Sequence, residues 1–486
     1  MALAGIMAVS AFTGCGSSNS AGTAADGKSA AVSAASSAPA ADASGVQQAA
    51  KQTEKQTGGE TSPTAQGTDA AARTDLNGTT VTFWHSMGGV NGEALQHLVD
   101  QFNQDNKLGI RVDAEYQGSY DDAINKLKSA QIGNMGADLV QIYDIGTRFM
   151  IDSGWIVPMQ DLMDADGWDD SQIEPNIRAY YTVKDKLYSM PFNSSTPLLY
   201  YNADMFKKAG IDKAPDSLPG IGNIAEALVQ KGGAGEAISL GIYGWFFEQF
   251  GCKQGAAYAN NGNGRTDAAT AVDFDQNGSG ARTLSAWKAL YDKGYAPNVG
   301  HGGDAGIADF TAGKSAMTLG STASLKQIIA DVNGKFEIGT AYFPKVSEDD
   351  KGGVSIGGAS LWALDNKDDR KKAAAWEFIK FLVSPASQAY WNVETGYFPV
   401  TTAAADEQVF KDNLARYPQF GTAIDQLHAS SPESAGALLS VFPEARKIVE
   451  TEIENMLNNG SQPEDAVKKM ADQINKSIAD YNQVNG

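Results

Sequence analysis

The chain is short of the residues on which metal centres and disulfide scaffolds depend. It has only two cysteines, Cys15 and Cys252, and four histidines among 486 residues. Cys15 lies in what reads as a processing site, so no internal disulfide framework is expected. The histidines are His85, His97, His301 and His428. No two of them have ligand spacing such as HExxH, and neither a metal nor a cofactor is expected. Positive charge is also scarce: 38 Lys and Arg face 58 Asp and Glu, a net charge of −20. That balance disfavours nucleic acid as a partner and gives a soluble, self-repelling surface. It leaves an anionic small molecule open, because a few local donors override a mean field. No apolar run is long enough to span a bilayer.

What is present begins with a leader. Ala2 to Phe12 is small and apolar, followed by Phe12-Thr13-Gly14-Cys15-Gly16-Ser17-Ser18. This resembles a secretory signal ending in a lipobox, with Cys15 as the lipidated residue. No Lys or Arg precedes the apolar run, which implies a start upstream of Met1 or a weak signal. Residues 1–15 are therefore read as the signal and lipobox segment. Residues 16–75 are read as a disordered tether, because Ala, Ser, Thr, Gly and Gln without aromatics bury too little apolar surface to order. A coil of that kind has a root-mean-square reach of roughly 40–45 Å. Residues 76–486 are left for folding, enough for two lobes of about 200 residues each.

The start of that region alternates strand and helix signals. Thr79 to Trp84 reads as a strand. Gly92 to Asp105 carries Leu95, Leu98, Val99 and Phe102 at helical spacing. Ile110, Val112 and Ala114 alternate as a strand, and Ser119 can cap a helix bearing Ala123, Ile124 and Leu127. Asp138 to Tyr143 reads as a third strand. This order predicts an α/β lobe with a partly parallel sheet. The second half is helix-rich, with clear periodicity over Lys371–Val383 and Glu464–Tyr481.

Several familiar spellings fail on inspection. Asp273-Phe274-Asp275-Gln276-Asn277-Gly278 opens like a calcium loop, but its twelfth position is Leu284 rather than a bidentate Glu. Gly313-Lys314-Ser315 lacks the earlier glycine of a phosphate loop, where Ala308 stands. Gly220-Ile221-Gly222 follows Pro219, with no strand leading in. No G-x-S-x-G nucleophile elbow is read, so an enzyme is not expected.

The stretch Pro191-Phe192-Asn193-Ser194-Ser195-Thr196-Pro197 stands out. Two prolines stiffen it, three hydroxyls line it, and Leu198-Leu199-Tyr200-Tyr201 follows as an apolar strand. A polar elbow feeding a core strand suits a hinge beside a ligand cleft; it also suits an ordinary loop. This segment resembles the hinge-side segment of bacterial glycerol-3-phosphate-binding proteins, extracytoplasmic solute receptors of ABC importers. Phe83-Trp84-His85-Ser86-Met87, Gly118-Ser119-Tyr120, Ile356-Gly357-Gly358-Ala359-Ser360-Leu361-Trp362 and Thr395-Gly396-Tyr397-Phe398-Pro399 match in the same order.

The resemblance implies a two-lobe periplasmic-binding-protein (Venus flytrap) fold of the α/β class. Its lobes are discontinuous, with one crossing near residues 191–197 and a hinge-side cleft. It further implies a cleft built from Tyr120, Asp144, Ser195, Trp245, Ser321, Gly358, Tyr397 and Arg446. In that set Arg446 supplies charge for phosphate, Ser195 and Ser321 supply hydroxyls, and Gly358 supplies an N–H with close ligand approach. Tyr120, Tyr397 and Trp245 form walls, and Asp144 accepts from ligand hydroxyls. Each also fits a plainer role: a solvated helix arginine, a turn glycine, core aromatics, serine caps, a helix N-cap at Asp144. Two positions depart from the family: Asp144 replaces a glutamate, and Ile242 replaces the tryptophan partner of Trp245.

The implied function is a monomeric, lipid-anchored receptor on the outer face of the cell membrane, or in the periplasm. It would deliver glycerol-3-phosphate or a glycerophosphodiester to ABC permease subunits. A receptor for a neutral sugar or oligosaccharide is the alternative, and a secreted phosphodiester hydrolase a more distant one. On this reading Arg446→Ala weakens phosphate binding and leaves the fold intact.

Overall fold

The structure is a computed structural model that describes residues 75–133, 136–431 and 434–485. The leader, Cys15 and all but the last residue of the tether lie outside the described residues. Strand β1 (Thr80–His85) buries alternate residues, Val81, Phe83 and His85. It pairs in parallel with β2 (Arg111–Tyr116) and with β3 (Leu139–Tyr143). Parallel neighbours require a crossover, and two helices provide it. The first, Gly89–Asp105, buries Leu95, Leu98, Val99 and Phe102, and starts three residues before the expected Gly92. The second, Tyr120–Ile132, is held at its start by a capping box: the Ser119 side chain accepts from Asp122 N, and the Asp122 carboxylate accepts from Ser119 N. Every residue of β3 is buried, as a central strand covered on both faces must be.

Four more strands follow in the first half: β4 (Ile156–Val157), the hairpin β5 (Thr182–Val183) and β6 (Lys186–Leu187), and β7 (Met190–Ser195). Then β8 (Pro197–Asn202) leaves this layer and joins a different sheet. The strands β9 (Leu240–Ile242), β10 (Asn298–His301), β11 (Met317–Ser321) and β12 (Ile338–Tyr342) come next. The second sheet runs β11-β8-β12, all antiparallel, and a bridge from Ser239 to Thr318 brings β9 alongside β11. Finally β13 (Gly357–Leu364) returns to the first sheet, antiparallel to β3, β4 and β7. The mixed sheet is therefore β2-β1-β3-β13-β4, with β7 also on β13.

Two lobes result, and neither is continuous in sequence. The first contains β1–β7 and β13, with Asp369–Leu382 packed on β1 and β13. The second contains β8–β12, flanked by helices including Gly244–Lys253, Ser279–Asp292 and Phe442–Asn459. The last helix, Pro463–Asn485, packs on two of these, Ser279–Asp292 and Phe442–Asn459.

Candidate functional site

One residue, Thr196, separates β7 of the first sheet from β8 of the second. Its backbone is fastened to the turn after β11: Thr196 N donates to Thr322 Oγ1 at 3.3 Å, and Thr322 N donates to Thr196 O at 2.9 Å. Strand register then fixes what surrounds it. Ser195 pairs with Gly357 and Ser321 with Pro197, so two candidate hydroxyl residues flank the crossing from opposite sheets. The Ser321 hydroxyl accepts from Ala323 N at 3.1 Å, so it serves as a cap. Gly357 gives the Trp245 indole its seat: a Cβ on Gly357 would lie 2.6 Å from Cζ2 of that ring. Trp245 is buried, and its Nε1 has no hydrogen-bond partner among the described residues. The hydroxyl of Thr196 is likewise buried and unpartnered.

A polar relay runs from this crossing into the first lobe. Ser86 N donates to Gln141 Oε1 at 2.9 Å, Gln141 Nε2 donates to Asn193 Oδ1 at 2.7 Å, and Asn193 Nδ2 donates to Tyr120 OH at 3.0 Å. The Tyr120 ring stacks on Tyr143 at 5.3 Å, and the Tyr397 hydroxyl lies beside those of Tyr120 and the Asn193 amide. Burial raises both tyrosines' pKa values above the usual phenol range, so they stay protonated donors. Sequence reading missed Gln141 and Asn193 as members of this set.

The charged part of the site is a buried trio. Arg446, on the helix Phe442–Asn459, donates from Nε and Nη2 to the two carboxylate oxygens of Glu248 at 2.7 and 2.9 Å. Nη2 also donates to Asp144 Oδ2 at 2.9 Å. The stem of Arg446 passes over Gly244, where a Cβ would lie 3.0 Å from its Cγ. All three side chains are nearly inaccessible, with 8% of Arg446, 7% of Asp144 and 11% of Glu248 exposed. Burial raises the pKa of Asp144 and Glu248, and Arg446 offsets part of that rise. For Arg446 burial acts to lower the pKa, but the two carboxylates prevail and hold it well above its usual value. Formal charges of −1, −1 and +1 leave the trio at −1.

This geometry changes two expectations. The planar fork of Arg446, expected to meet phosphate, is already taken by Glu248. Gly358 is needed by the protein itself, since φ is +93° and a Cβ would lie 2.0 Å from Asn193 O. Glu248 was not anticipated, although a glutamate inside the apolar run Trp245-Phe246-Phe247-Glu248 is a signal in itself.

The sequence profile of the bacterial extracellular solute-binding proteins matches residues 97–421. The chain belongs to that family. Within the family it is 30% identical over 410 residues to the sn-glycerol-3-phosphate-binding periplasmic protein UgpB of Escherichia coli K12, covering 82% of this chain and 92% of that protein. UgpB of Mycobacterium tuberculosis, solved with glycerophosphocholine, has the same fold at a TM-score of 0.70 and 24% identity, over 83% of this chain and 99% of that one. The GacH receptor of Streptomyces glaucescens, solved unliganded and with acarbose, superposes at 0.68 and 22% identity, over 83% and 99%. Solute-binding proteins of this family bind and deliver small molecules; they are extracytoplasmic transport proteins rather than enzymes.

In this family member the eight candidates gather at the lobe crossing, in two groups. Ser195, Ser321, Gly358, Trp245, Tyr120 and Tyr397 surround β7 and its neighbours, while Asp144 and Arg446 lie with Glu248. A groove of about 660 Å³ runs from the start of the first-lobe helix Gly89–Asp105 to the second-lobe helices Gly303–Thr311 and Leu325–Val332. None of the eight lines it, but Ala323 and Ser324 connect it to Ser321. Ile242 is fully buried in β9, a core position.

The misleading spellings resolve as ordinary structure. Gly220 to Ala225 lies on the helix Leu218–Ala227, capped by Ser217, and Asp273–Gly278 is the turn before Ser279–Asp292. One spelling went unnoticed in the sequence: Gly353-Val354-Ser355-Ile356-Gly357 fits G-x-S-x-G. It leads straight into β13 rather than turning into a helix, and the Ser355 hydroxyl accepts from Gln249 Nε2 at 2.9 Å. The described residues contain no group of three or more His, Cys, Asp or Glu placed to hold a metal ion.

Proposed function

We propose that this solute-binding protein is a receptor anchored through a lipid on Cys15 that captures glycerol-3-phosphate or a glycerophosphodiester and hands it to an ABC permease. The observation that carries this reading is the division of the candidate site. Buried polar groups normally have partners, yet Thr196 Oγ1 and Trp245 Nε1 have none among the described residues. Both lie at Ser195: Thr196 follows it in the chain and Trp245 packs on Gly357, its strand partner, while the phenols of Tyr120 and Tyr397 lie at Asn193. Those neutral donors suit phosphate oxygens. The trio suits hydroxyls, because Asp144 and Glu248 accept and Arg446 Nη1 carries no hydrogen bond among the described residues. A phosphate next to the trio would meet a net negative charge, so the phosphate belongs at the neutral end and the polyol at Asp144 and Arg446.

The reading draws on the 30% identity to a glycerol-3-phosphate-binding protein and on the glycerophosphocholine held by a structural neighbour. The engagement of the Arg446 fork by Glu248 also favours a second reading, a neutral oligosaccharide receptor. Titration calorimetry of the full chain against glycerol-3-phosphate, glycerophosphocholine and maltose separates them. Binding of a phosphate ligand without maltose supports the first. Binding of maltose alone moves the second ahead, and release of free choline would reveal a hydrolase. Mass spectrometry of the Cys15 peptide from native membranes tests the anchor: a lipid-modified Cys15 is expected, and an unmodified one refutes it.

A further inference from the structure

We infer that Arg265 is a positioning residue for the cleft: it ties the second lobe to the first and holds both ends of the interlobe contact between Asp144 and Arg446. The consequence for binding rests on the receptor reading above; the tie itself does not.

Arg265 lies between the second-lobe helices Gly244–Lys253 and Ser279–Asp292 and follows an unusual turn. Asn261, Gly262 and Asn263 are all left-handed, with φ of 52°, 60° and 62°. Asparagine bears that conformation better than most side chains, but it still costs free energy and persists only where the surroundings over-determine it. Here they do. Asn263 Oδ1 accepts from Tyr258 N at 2.7 Å and from Ala259 N at 3.0 Å, and Asn263 O accepts from Leu438 N at 2.8 Å. A Cβ on Gly264 would lie 2.1 Å from Leu438 O. The turn is built against the segment that precedes the helix Phe442–Asn459, and it carries Arg265 to the first lobe.

The guanidinium makes four hydrogen bonds, all to backbone carbonyls. Nη1 donates to Ala179 O at 3.3 Å and to Tyr180 O at 3.1 Å, Nε donates to Gly436 O at 2.7 Å, and Nη2 donates to Ala435 O at 3.2 Å. No carboxylate of the described residues pairs with it, and its Cζ lies over the Tyr180 ring, 5.1 Å from the centroid. Ala179 and Tyr180 end the first-lobe helix Pro175–Tyr181, whose last carbonyls have no acceptor role within the helix. Ala435 and Gly436 lead into the helix that carries Arg446. The Tyr180 hydroxyl donates to Asp144 O at 3.0 Å, and the Asp144 carboxylate accepts from Arg446. One side chain thus grips the approach to Arg446 directly and the backbone of Asp144 through Tyr180. A planar fork with five donors suits this task, since it can hold carbonyls of two segments at once. Contacts made in one arrangement of the lobes favour that arrangement over others, so losing them should loosen the turn at Asp144.

Hydrogen exchange of the full chain, read by mass spectrometry, tests the tie without a ligand. In Arg265→Met and in Tyr180→Phe the amides of residues 144–153 should exchange at least about fivefold faster, as the loss of one net hydrogen bond implies. The helix Gly89–Asp105 should be unchanged. Unchanged exchange at 144–153, or equal acceleration in both segments as global destabilisation would give, overturns the inference. The double variant should exchange no faster at 144–153 than Arg265→Met, within about twofold, because Tyr180 is a link in the same chain of contacts; multiplied effects overturn it. Calorimetry then uses whichever of glycerol-3-phosphate, glycerophosphocholine and maltose wild type binds most tightly. Tyr180→Phe keeps the ring and should weaken that probe by about fivefold through the one lost bond, and an affinity equal to wild type overturns the positioning role. If wild type binds none of the three, the receptor reading fails, and exchange at 144–153 still decides the tie.

Discussion

A Cβ on Gly358 would lie 2.0 Å from the carbonyl oxygen of Asn193. β13 and β7 are paired here with an irregular register between Ala359 and Ser360, and the backbone of Gly358 has φ of +93°. Any side chain must push β13 away from β7, the strand that carries both Ser195 and Asn193. Gly358→Ala should therefore destabilise the folded chain by at least about 2 kcal/mol, since strained φ alone costs of order 1–3 kcal/mol before the clash is counted. Urea unfolding monitored by tryptophan fluorescence measures it. A loss under about 0.5 kcal/mol would show that the strands yield without cost.

Arg446 is as much a structural residue as a ligand candidate. Arg446→Ala leaves Asp144 and Glu248 buried with no counter-charge, and removing one partner of a buried ion pair costs about 3–5 kcal/mol. The ligand-free variant should lose stability of that order at pH 7.5, contrary to the expectation from sequence that the fold is unaffected. The sign of the pH dependence follows from the raised pKa values of both carboxylates. The native state binds protons that the unfolded chain releases, so stability falls as pH rises above the ordinary carboxylate range. The deficit of the variant should therefore be smaller at pH 5 than at pH 7.5. Denaturant melts at the two values check this, and an equal deficit at both would contradict it.

His85 closes β1 with its ring against Phe83 and Tyr116, and its Nδ1 accepts from Met87 N at 3.3 Å. Burial lowers its pKa from 6.5 to about 4. Above pH 6.5 the ring is neutral in both folded and unfolded chains. Between 6.5 and 4 only the unfolded chain takes the proton, so stability falls as the pH falls through that window. At about 1.4 kcal/mol per pKa unit, wild type should lose roughly 2–3 kcal/mol from this group by pH 4.5. His85→Gln should lack that component. Unfolding free energies of both proteins at pH 7.5 and 4.5 give the comparison, and identical pH slopes would refute it.

The local elements were legible in the sequence because their causes are local. Leu95, Leu98, Val99 and Phe102 marked one helix face, Ser119 and Asp122 carried their own capping box, and the alternation at Ile110 to Ala114 lay within β2 apart from Ile110. The parallel pairing of β1 with β2 and β3 followed from strands separated by helices. The cleft residues were reached through resemblance to a family, since nothing in the spacing of Tyr120, Ser321 and Arg446 brings them together. What each does in the site was decided only by tertiary packing. Arg446 meets Glu248 across 198 positions and Asp144 across 302, and Asn193 meets Tyr120 across 73. No periodicity reports such contacts: Asn193 meets Tyr120 within the first lobe and Arg446 meets Glu248 within the second, through packing of elements far apart in sequence, and only Arg446–Asp144 joins the two lobes. Gly358 makes the same point on the backbone: the sequence shows a glycine, and only the approach of β7 shows why no other residue fits.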